Sequence, residues 1–362
     1  MKPLNVNYQA RKSKLLQSLQ QHQADMMIIS SRQNIRYLTG FSGNAATLLI
    51  SEHQSYLITD YRYFERACAE TSDIAVVQRD RDTESLGQCI ARCLPNCEVV
   101  VFEAAHFSVD QWRLISGELP YSNLRGVTGC VEALREVKDE LEISYIQQAA
   151  QIADESLSEM LTLAKEGVQE RELALELEYK MRSKGSEGVS FDTILLFGER
   201  SALPHGNPSE RRLKKGDFIL VDFGAVVNGY RSDMTRTYVL GTPTAKQLSV
   251  FNTVQRAQQC ALESVKPEID CDSLNRVAHQ VMANSPFAQF AGEGLGHGLG
   301  LDLHEQPFIK PRAEHILKPG NVITIEPGIY IPEFGGVRLE EDIVVTEQGY
   351  QCLTKAPQTF EL

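Results

Sequence analysis

The chain has 362 residues, longer than one typical domain, and two domains are expected. Its 42% apolar and 23% charged residues are ordinary for a globular protein. A net charge of −12 leaves no basic surplus to neutralise phosphates, so nucleic acid is excluded as an expected partner and an anionic membrane surface is disfavoured.

The opening stretch MKPLNVNYQARKSKLLQSLQQ lacks the apolar core of a signal peptide. Apolar runs stay far below the ~20 residues of a spanning helix, so no membrane partner and a cytoplasmic location are expected. A helix is predicted over residues 9–23, then a strand in ADMMIIS. ATLLIS and YLITD read as strands flanking a turn at His53-Gln54. Helical periodicity returns over 61–70 and 83–93, with strands near 74–77 and in EVVVF. This alternation predicts an α/β domain over residues 1–130. Cys89, Cys93 and Cys97 recur every four residues, a spacing that fits neither zinc nor iron–sulfur ligation. They read as one face of a helix that ends near Pro95.

The character then changes. Residues 138–165 show helical spacing without proline or glycine, Gly167 supplies a stop, and a second helix follows over 169–185. Strands are predicted around 192–197, 217–227 and 230–240, then helices across 244–265 and 271–284. Three strand candidates close the chain, near 296–303, 321–331 and 337–346. Paired helices and hairpin strands make residues 131–362 an α+β domain.

Two hairpins hold acidic residues where apolar ones belong. Asn228-Gly229 is a two-residue hairpin signal. With Val227 opposite Tyr230, counting back sets Gly224 opposite Asp233 and puts Asp222 and Asp233 on one face as diagonal neighbours. A carboxylate beside the run Phe218-Ile219-Leu220-Val221 costs several kcal/mol unless it is paired, and two so close repel unless a cation lies between them. In the C-terminal hairpin, a turn over Pro332-Glu333-Phe334 sets Glu326 across from Glu340. Glu341 falls on the opposite face and Asp342 one pleat further away.

Between the hairpins, GEGLGHGLGLDLHEQP fails the dinucleotide fingerprint, because the position three after each candidate second glycine holds His297, Leu299 or Leu301. Its glycines instead bring backbone close to a site around His297 and His304. Four carboxylates with one imidazole are too anionic for one tetrahedral zinc. They suit two divalent ions, with manganese favoured by the oxygen-rich set and cobalt, iron or zinc as substitutes. Such a pair polarises a carbonyl and acidifies a water, which is the chemistry of metal-assisted hydrolysis.

The segments SALPHG, VDFGAVVNGYRSDMTRT, GHGLGLDLHE, ITIEPGIY and GGVRLEED resemble, in order, those of the pita-bread metallopeptidases, the creatinase/aminopeptidase fold. That family includes methionine aminopeptidase, Xaa-Pro aminopeptidase and Xaa-Pro dipeptidase (prolidase). The resemblance covers residues 138–362, and the preceding domain, creatinase/prolidase N-terminal-like, places the sequence in the Xaa-Pro branch. It implies Asp222, Asp233, His297, Glu326 and Glu340 as metal ligands, with Asp233 and Glu340 bridging two ions. Glu326 would also take a proton from the attacking water. His205 and His304 would contact the substrate and the developing oxyanion, and Arg338 would steady a ligand carboxylate. The implied activity is removal of an N-terminal residue ahead of proline from short peptides, by a homodimer.

Two positions depart from the pattern. Glu293 replaces a histidine that lines the proline side of the substrate site in many Xaa-Pro members. Phe308 stands where some prolidases have an arginine for a dipeptide's carboxylate, which leans the expectation toward an aminopeptidase that accepts longer peptides. The alternatives are a prolidase restricted to dipeptides and a metal-free relative, either creatinase-like or a non-enzymatic binding module.

Overall fold

The computed structural model describes residues 6–94, 97–119 and 122–362, and its backbone contacts divide the chain between Arg135 and Glu136. The first unit begins α1 (Tyr8–Gln21), β1 (Met26–Ile29), α2 (Arg32–Thr39), β2 (Ala46–Ser51), β3 (Ser55–Thr59) and α3 (Phe64–Glu70). It continues β4 (Ala75–Gln78), α4 (Leu86–Cys93), β5 (Val99–Glu103), α5 (Val109–Glu118), β6 (Asn123–Val127) and α6 (Glu132–Arg135). The strands form one sheet in the order β4-β3-β2-β1-β5-β6, with β1, β2 and β3 antiparallel and the outer strands added in parallel. The α/β reading of this unit therefore holds.

Its details correct the expectation in four places. Ile50 pairs with Ser55, and Ser51 N donates to Gln54 O, so the β2–β3 turn sits on Glu52-His53, one residue before the predicted position. The sequence reading did not include α2, although Ser31 caps its start and Gly40, at φ +81°, ends it. It also omitted α5 with its Ser108/Gln111 capping box, and the mostly exposed edge strand β6. Cys89 and Cys93 are buried along α4 as the helical spacing requires, while Pro95 lies outside the described residues.

In the second unit α7 (Glu140–Leu161) and α8 (Glu170–Ser183) precede β7 (Ile194–Phe197), β8 (Phe218–Phe223), β9 (Val226–Val227), β10 (Tyr230–Arg231) and β11 (Met234–Val239). After α9 (Ala245–Ser264) and α10 (Cys271–Ala283) come β12 (Gly296–Gly298), β13 (Glu305–Ile309) and β14 (Val322–Ile325). The chain closes with β15 (Gly328–Ile331), β16 (Gly335–Arg338), β17 (Glu341–Thr346) and β18 (Gly349–Cys352); β13 and β18 were not anticipated. Asp139, Thr244 and Asp270 accept from first-turn amides, so three of the four helices begin at a side-chain cap.

Each helix pair covers one sheet. Ala149, Leu157, Leu173 and Leu177 of α7 and α8 pack with Leu195, Val221 and Met234 of the β11-β8-β7 sheet. Val250, Val254, Leu274 and Ala278 of α9 and α10 pack with Ile323, Ile325 and Ile343 of the β13-β12-β14-β17-β18 sheet. This is the expected α+β arrangement. Among the described residues no helix is long and apolar enough to cross a membrane.

The predicted long strands are interrupted where the acidic residues fall. The strand over 217–227 breaks at Gly224-Ala225 and its partner at Ser232-Asp233. The later pair breaks at Glu326-Pro327 and Leu339-Glu340. Pro327 has no amide hydrogen to give a ladder, which accounts for one break. Gly224 accounts for another, because a Cβ there would meet Ser232 O at 1.8 Å. The register nevertheless survives both breaks. Val227 pairs with Tyr230 and Phe223 with Met234, while Gly328 pairs with Arg338 and Ile325 with Glu341.

Gly224→Ala is therefore expected to destabilise the fold by roughly 1–3 kcal/mol, as overpacking does. Urea unfolding measures it, and a midpoint unchanged from the parent would show that the β8–β11 crossing yields without cost.

Candidate metal centre

Both hairpins deliver their acidic residues to one cavity of about 350 Å³, whose lining includes Asp222, Asp233, His297, Glu326 and Glu340. The register accounts for the meeting. Asp222 pairs with Thr235, two residues beyond Asp233, and Glu326 falls opposite Glu340 between the observed pairs on either side. The hairpins touch where Glu340 N donates to Thr235 O (3.1 Å) and Thr235 Oγ1 donates to Glu340 Oε2 (2.6 Å).

His297 enters from β12. Its Nδ1 lies 3.0 Å from Gly298 O, a contact that fixes the proton on Nδ1 and turns Nε2 toward the carboxylates. Nε2 stands 3.3 Å from Glu326 Oε1 and 3.6 Å from Asp233 Oδ2. Donor atoms of Asp233, His297 and Glu340 all lie within 4.8 Å of one another.

The electrostatics of this cluster are unfavourable in isolation. Burial, then the neighbouring carboxylates Glu340 and Asp222, push Asp233 well above the usual carboxylate range. Burial, then Glu326 and Asp222, do the same to Glu340. Asp222 is also raised by burial, although the Arg338 guanidinium opposes this. For Glu326 burial acts upward, but the hydrogen bond and charge of His297 outweigh it and its carboxyl is lowered.

Arg338 is the one guanidinium in the lining. It bonds Asp222 Oδ2 through Nη2, Thr235 Oγ1 through Nε (2.9 Å) and Tyr330 Oη through Nη1 (2.8 Å). Four carboxylates against this guanidinium and the Lys310 ammonium still leave an excess of negative charge, and Asp222 Oδ1 is buried without a hydrogen-bond partner. An oxygen-rich, charge-deficient set with one orphaned carboxylate oxygen fits divalent cations.

Below the cluster a further set of groups holds it in place. Asp233 N donates to Asp342 Oδ2 (2.8 Å), so Asp342 supports the backbone of a site residue from one pleat away. Arg236, 1% exposed, donates to Glu340 O and Ala356 O and grips Glu341 through Nη2 at 2.9 and 3.0 Å. Glu341 thus belongs to this buried network and does not face the cavity.

His205, Leu303, His304 and Phe308 line the cavity mouth. The His304 ring packs edge-on against His297 at 4.3 Å between centroids, and burial followed by the charge of His297 lowers its pKa. Its neighbour Glu305 forms a buried ion pair with Lys138 (2.6 Å), which ties the His304 turn to the start of α7. Glu293 is exposed and is not among the residues that line the cavity, whereas Gly294 beside it is.

Sequence reasoning missed Tyr330, Lys310 and the apolar wall of Phe191 and Ile194 in the lining, and Thr235 behind it, which bonds Glu340 and Arg338. Thr235 was within reach, since the count that pairs Gly224 with Asp233 also pairs Asp222 with Thr235. The wall residues carry no local signal, because long-range packing brings them to the cavity.

Comparison with known proteins agrees with this architecture. Residues 144–347 match metallopeptidase family M24, and residues 11–137 match the creatinase/prolidase N-terminal domain. A Xaa-Pro dipeptidase of Pyrococcus furiosus is 35% identical over 349 residues, 95% of this chain and 97% of that one. Among solved structures, a Xaa-Pro dipeptidase from Bacillus anthracis superposes with a TM-score of 0.95 at 33% identity, covering 98% of this chain and all of the other. An X-Pro aminopeptidase from Thermotoga maritima MSB8 superposes with a TM-score of 0.90 at 35% identity, covering 97% of this chain and all of that one. With its pita-bread second unit and the domain that precedes it, this chain belongs to metallopeptidase family M24.

Proposed function

We propose that this chain is a dinuclear-metal exopeptidase that cleaves the N-terminal peptide bond ahead of proline, with manganese as the favoured ion. One observation carries the reading: four carboxylates and one imidazole converge at a single cavity, and of these Glu326 stays most open, its side chain 25% exposed against 6% for Asp233 and 11% for Asp222. Similarity to Xaa-Pro peptidases supports the substrate class.

Asp222, Asp233, His297, Glu326 and Glu340 would hold the ions in this reading. Bound divalent ions supply Lewis-acid polarisation of the scissile carbonyl and bring the pKa of a water toward ~7. Glu326 accepts the proton of the attacking water and delivers it to the departing proline nitrogen. Its hydrogen bond from Thr324 Oγ1 (3.1 Å) fixes the carboxylate for that transfer. His304 donates to the developing oxyanion, and His205 holds the substrate from the other side of the mouth. Arg338 keeps Asp222 in position, and the apolar wall of Phe191 and Ile194 excludes water around the proline ring.

Purified protein with manganese is expected to hydrolyse Xaa-Pro peptides faster than a Met-Ala peptide assayed beside them. No turnover of any di- or tripeptide with manganese, cobalt or zinc would refute the proposal. Glu326→Gln is expected to lower kcat by about 10²–10⁴-fold, the range of a general base, while part of the metal stays bound. Full activity in that variant would remove Glu326 from the proton transfer.

Metal and pH are linked with a definite sign. Asp233 and Glu340 have raised folded-state pKa values, so chelator-treated protein loses stability as pH rises from the ordinary carboxylate range through those values. Divalent ions bind the deprotonated carboxylates and offset that loss. At about 100-fold excess over Kd the linkage gives about 2.7 kcal/mol. The gain in Tm with manganese is therefore expected to be larger at pH 8 than at pH 5, and calorimetry at both values checks it.

A further inference from the structure

The loop that follows β7 carries Pro204 and His205 to the cavity lining. Burial does not fix its tip, since Leu203, Pro204 and His205 are all exposed. Among the described residues the tip has a local bond from Leu203 N to Arg200 O and a long one, 3.5 Å, from Arg338 Nη1 to Pro204 O. What places His205 must therefore act at the two stems of the loop.

Both stems end on one carboxylate. Glu170 opens α8, and its side chain is 0% exposed. Its Oε1 accepts Phe197 N (2.8 Å) from the first stem. Its Oε2 accepts Ser209 N (2.8 Å) and Ser209 Oγ (2.6 Å) from the second. Arg200 lays Nε across both oxygens at 3.1 and 3.0 Å, and its Nη2 donates to Asn207 O (2.7 Å), two residues past His205. The backbone of α8 grips the second stem alone, through Glu170 N to Arg211 O and Arg171 N to Ser209 O (both 3.1 Å). An outer pair, Arg211 with Glu199, also spans the stems, but Glu199 is 53% exposed and water screens the contact. The buried, charge-assisted bonds of Glu170 are the stronger tie.

We propose that Glu170 is a positioning residue for the reaction: by joining the two stems it sets where His205 stands against the substrate. The inference rests on the exopeptidase reading above, in which His205 holds the substrate. Glu170 does not line the cavity, so its loss acts through His205. Glutamine is the informative replacement. It keeps the size and one acceptor oxygen, but its NH2 group faces the donors of one stem and releases that stem.

The test is a double-mutant cycle on the manganese-loaded protein, with the Xaa-Pro peptide that the parent turns over fastest. Glu170→Gln is expected to lower kcat/KM by about 10–100-fold, toward the ~10² that a 1 Å misplacement costs, while metal content stays that of the parent. In a His205→Ala background the same change is expected to cost less than about twofold, because the residue it positions is gone. Should Glu170→Gln fail to fold, Ser209→Ala removes a single hydroxyl donor and gives a second cycle, with a smaller loss in the same pattern. Amide hydrogen exchange needs no turnover: exchange over residues 198–209 should be faster in either variant and unchanged elsewhere.

An equal fold-loss in both backgrounds would show a general weakening of the fold and overturn the positioning role. Parent-like kcat/KM in the folded variants, or unchanged exchange over the loop, overturns it as well. Absence of turnover in the parent instead removes the exopeptidase reading, and exchange then decides alone whether Glu170 holds the loop.

Discussion

Four carboxylates withdrawn from water around one guanidinium are the constraint on which the second unit is organised. Burial raises the pKa of Asp222, Asp233 and Glu340; neighbouring carboxylates add to this at Asp233 and Glu340, while the Arg338 guanidinium opposes it at Asp222. The chain cannot relieve this by opening, because the carboxylates are carried on strands whose other faces are packed against two helix pairs. What remains is neutralisation from the cavity side. The same burial that makes the cluster costly makes it a selective receptor for small, highly charged cations.

The strand breaks follow from that constraint. The interruption at Ser232-Asp233 lets Asp233 N turn to Asp342 while the side chain faces the cavity. Leu339-Glu340 is interrupted in the same way, and Glu340 is then held from two directions. Thr235 grips its carboxylate and Arg236 its carbonyl oxygen. Adjacent residues on β11 thus serve opposite faces, Thr235 toward Glu340 and Arg338 and Arg236 toward the C-terminal segment at Ala356. Strand alternation lets one short stretch brace both the carboxylate and the backbone of Glu340.

Much of this geometry was legible in the sequence because hairpin register is short-range information. Asn228-Gly229 and the turn centred on Glu333, which takes φ +62°, each fix a pairing from a local signal, and counting along the strands brings the carboxylates together two by two. The paired-helix architecture was legible for the same reason, from caps and periodicity. The strand breaks were not, since alternation continues across them in the sequence. Arg236 gave no warning either, because a basic residue in SDMTRT reads as exposed until the tail that covers it is placed. Glu293 is exposed while Gly294 beside it lines the cavity, a placement that no local signal in the sequence carries. Lys310 escaped notice because only the folded cavity distinguishes it from any exposed lysine.

The ion pair between Lys138 and Glu305 bears on where the second unit can be said to begin. Judged by secondary structure, that unit starts at the Asp139 cap of α7, and a catalytic fragment cut there would keep every helix and strand. It would also remove the Lys138–Glu305 pair, and breaking a buried pair costs about 3–5 kcal/mol. The penalty would fall on the turn that carries His304, far along the chain from the cut. The three residues before the cap pair with Asn321 and Gly320 as well, through Glu136 O, the Val137 bridge and Lys138 N. What looks like an interdomain linker is, by its contacts, a missing edge of the active-site scaffold.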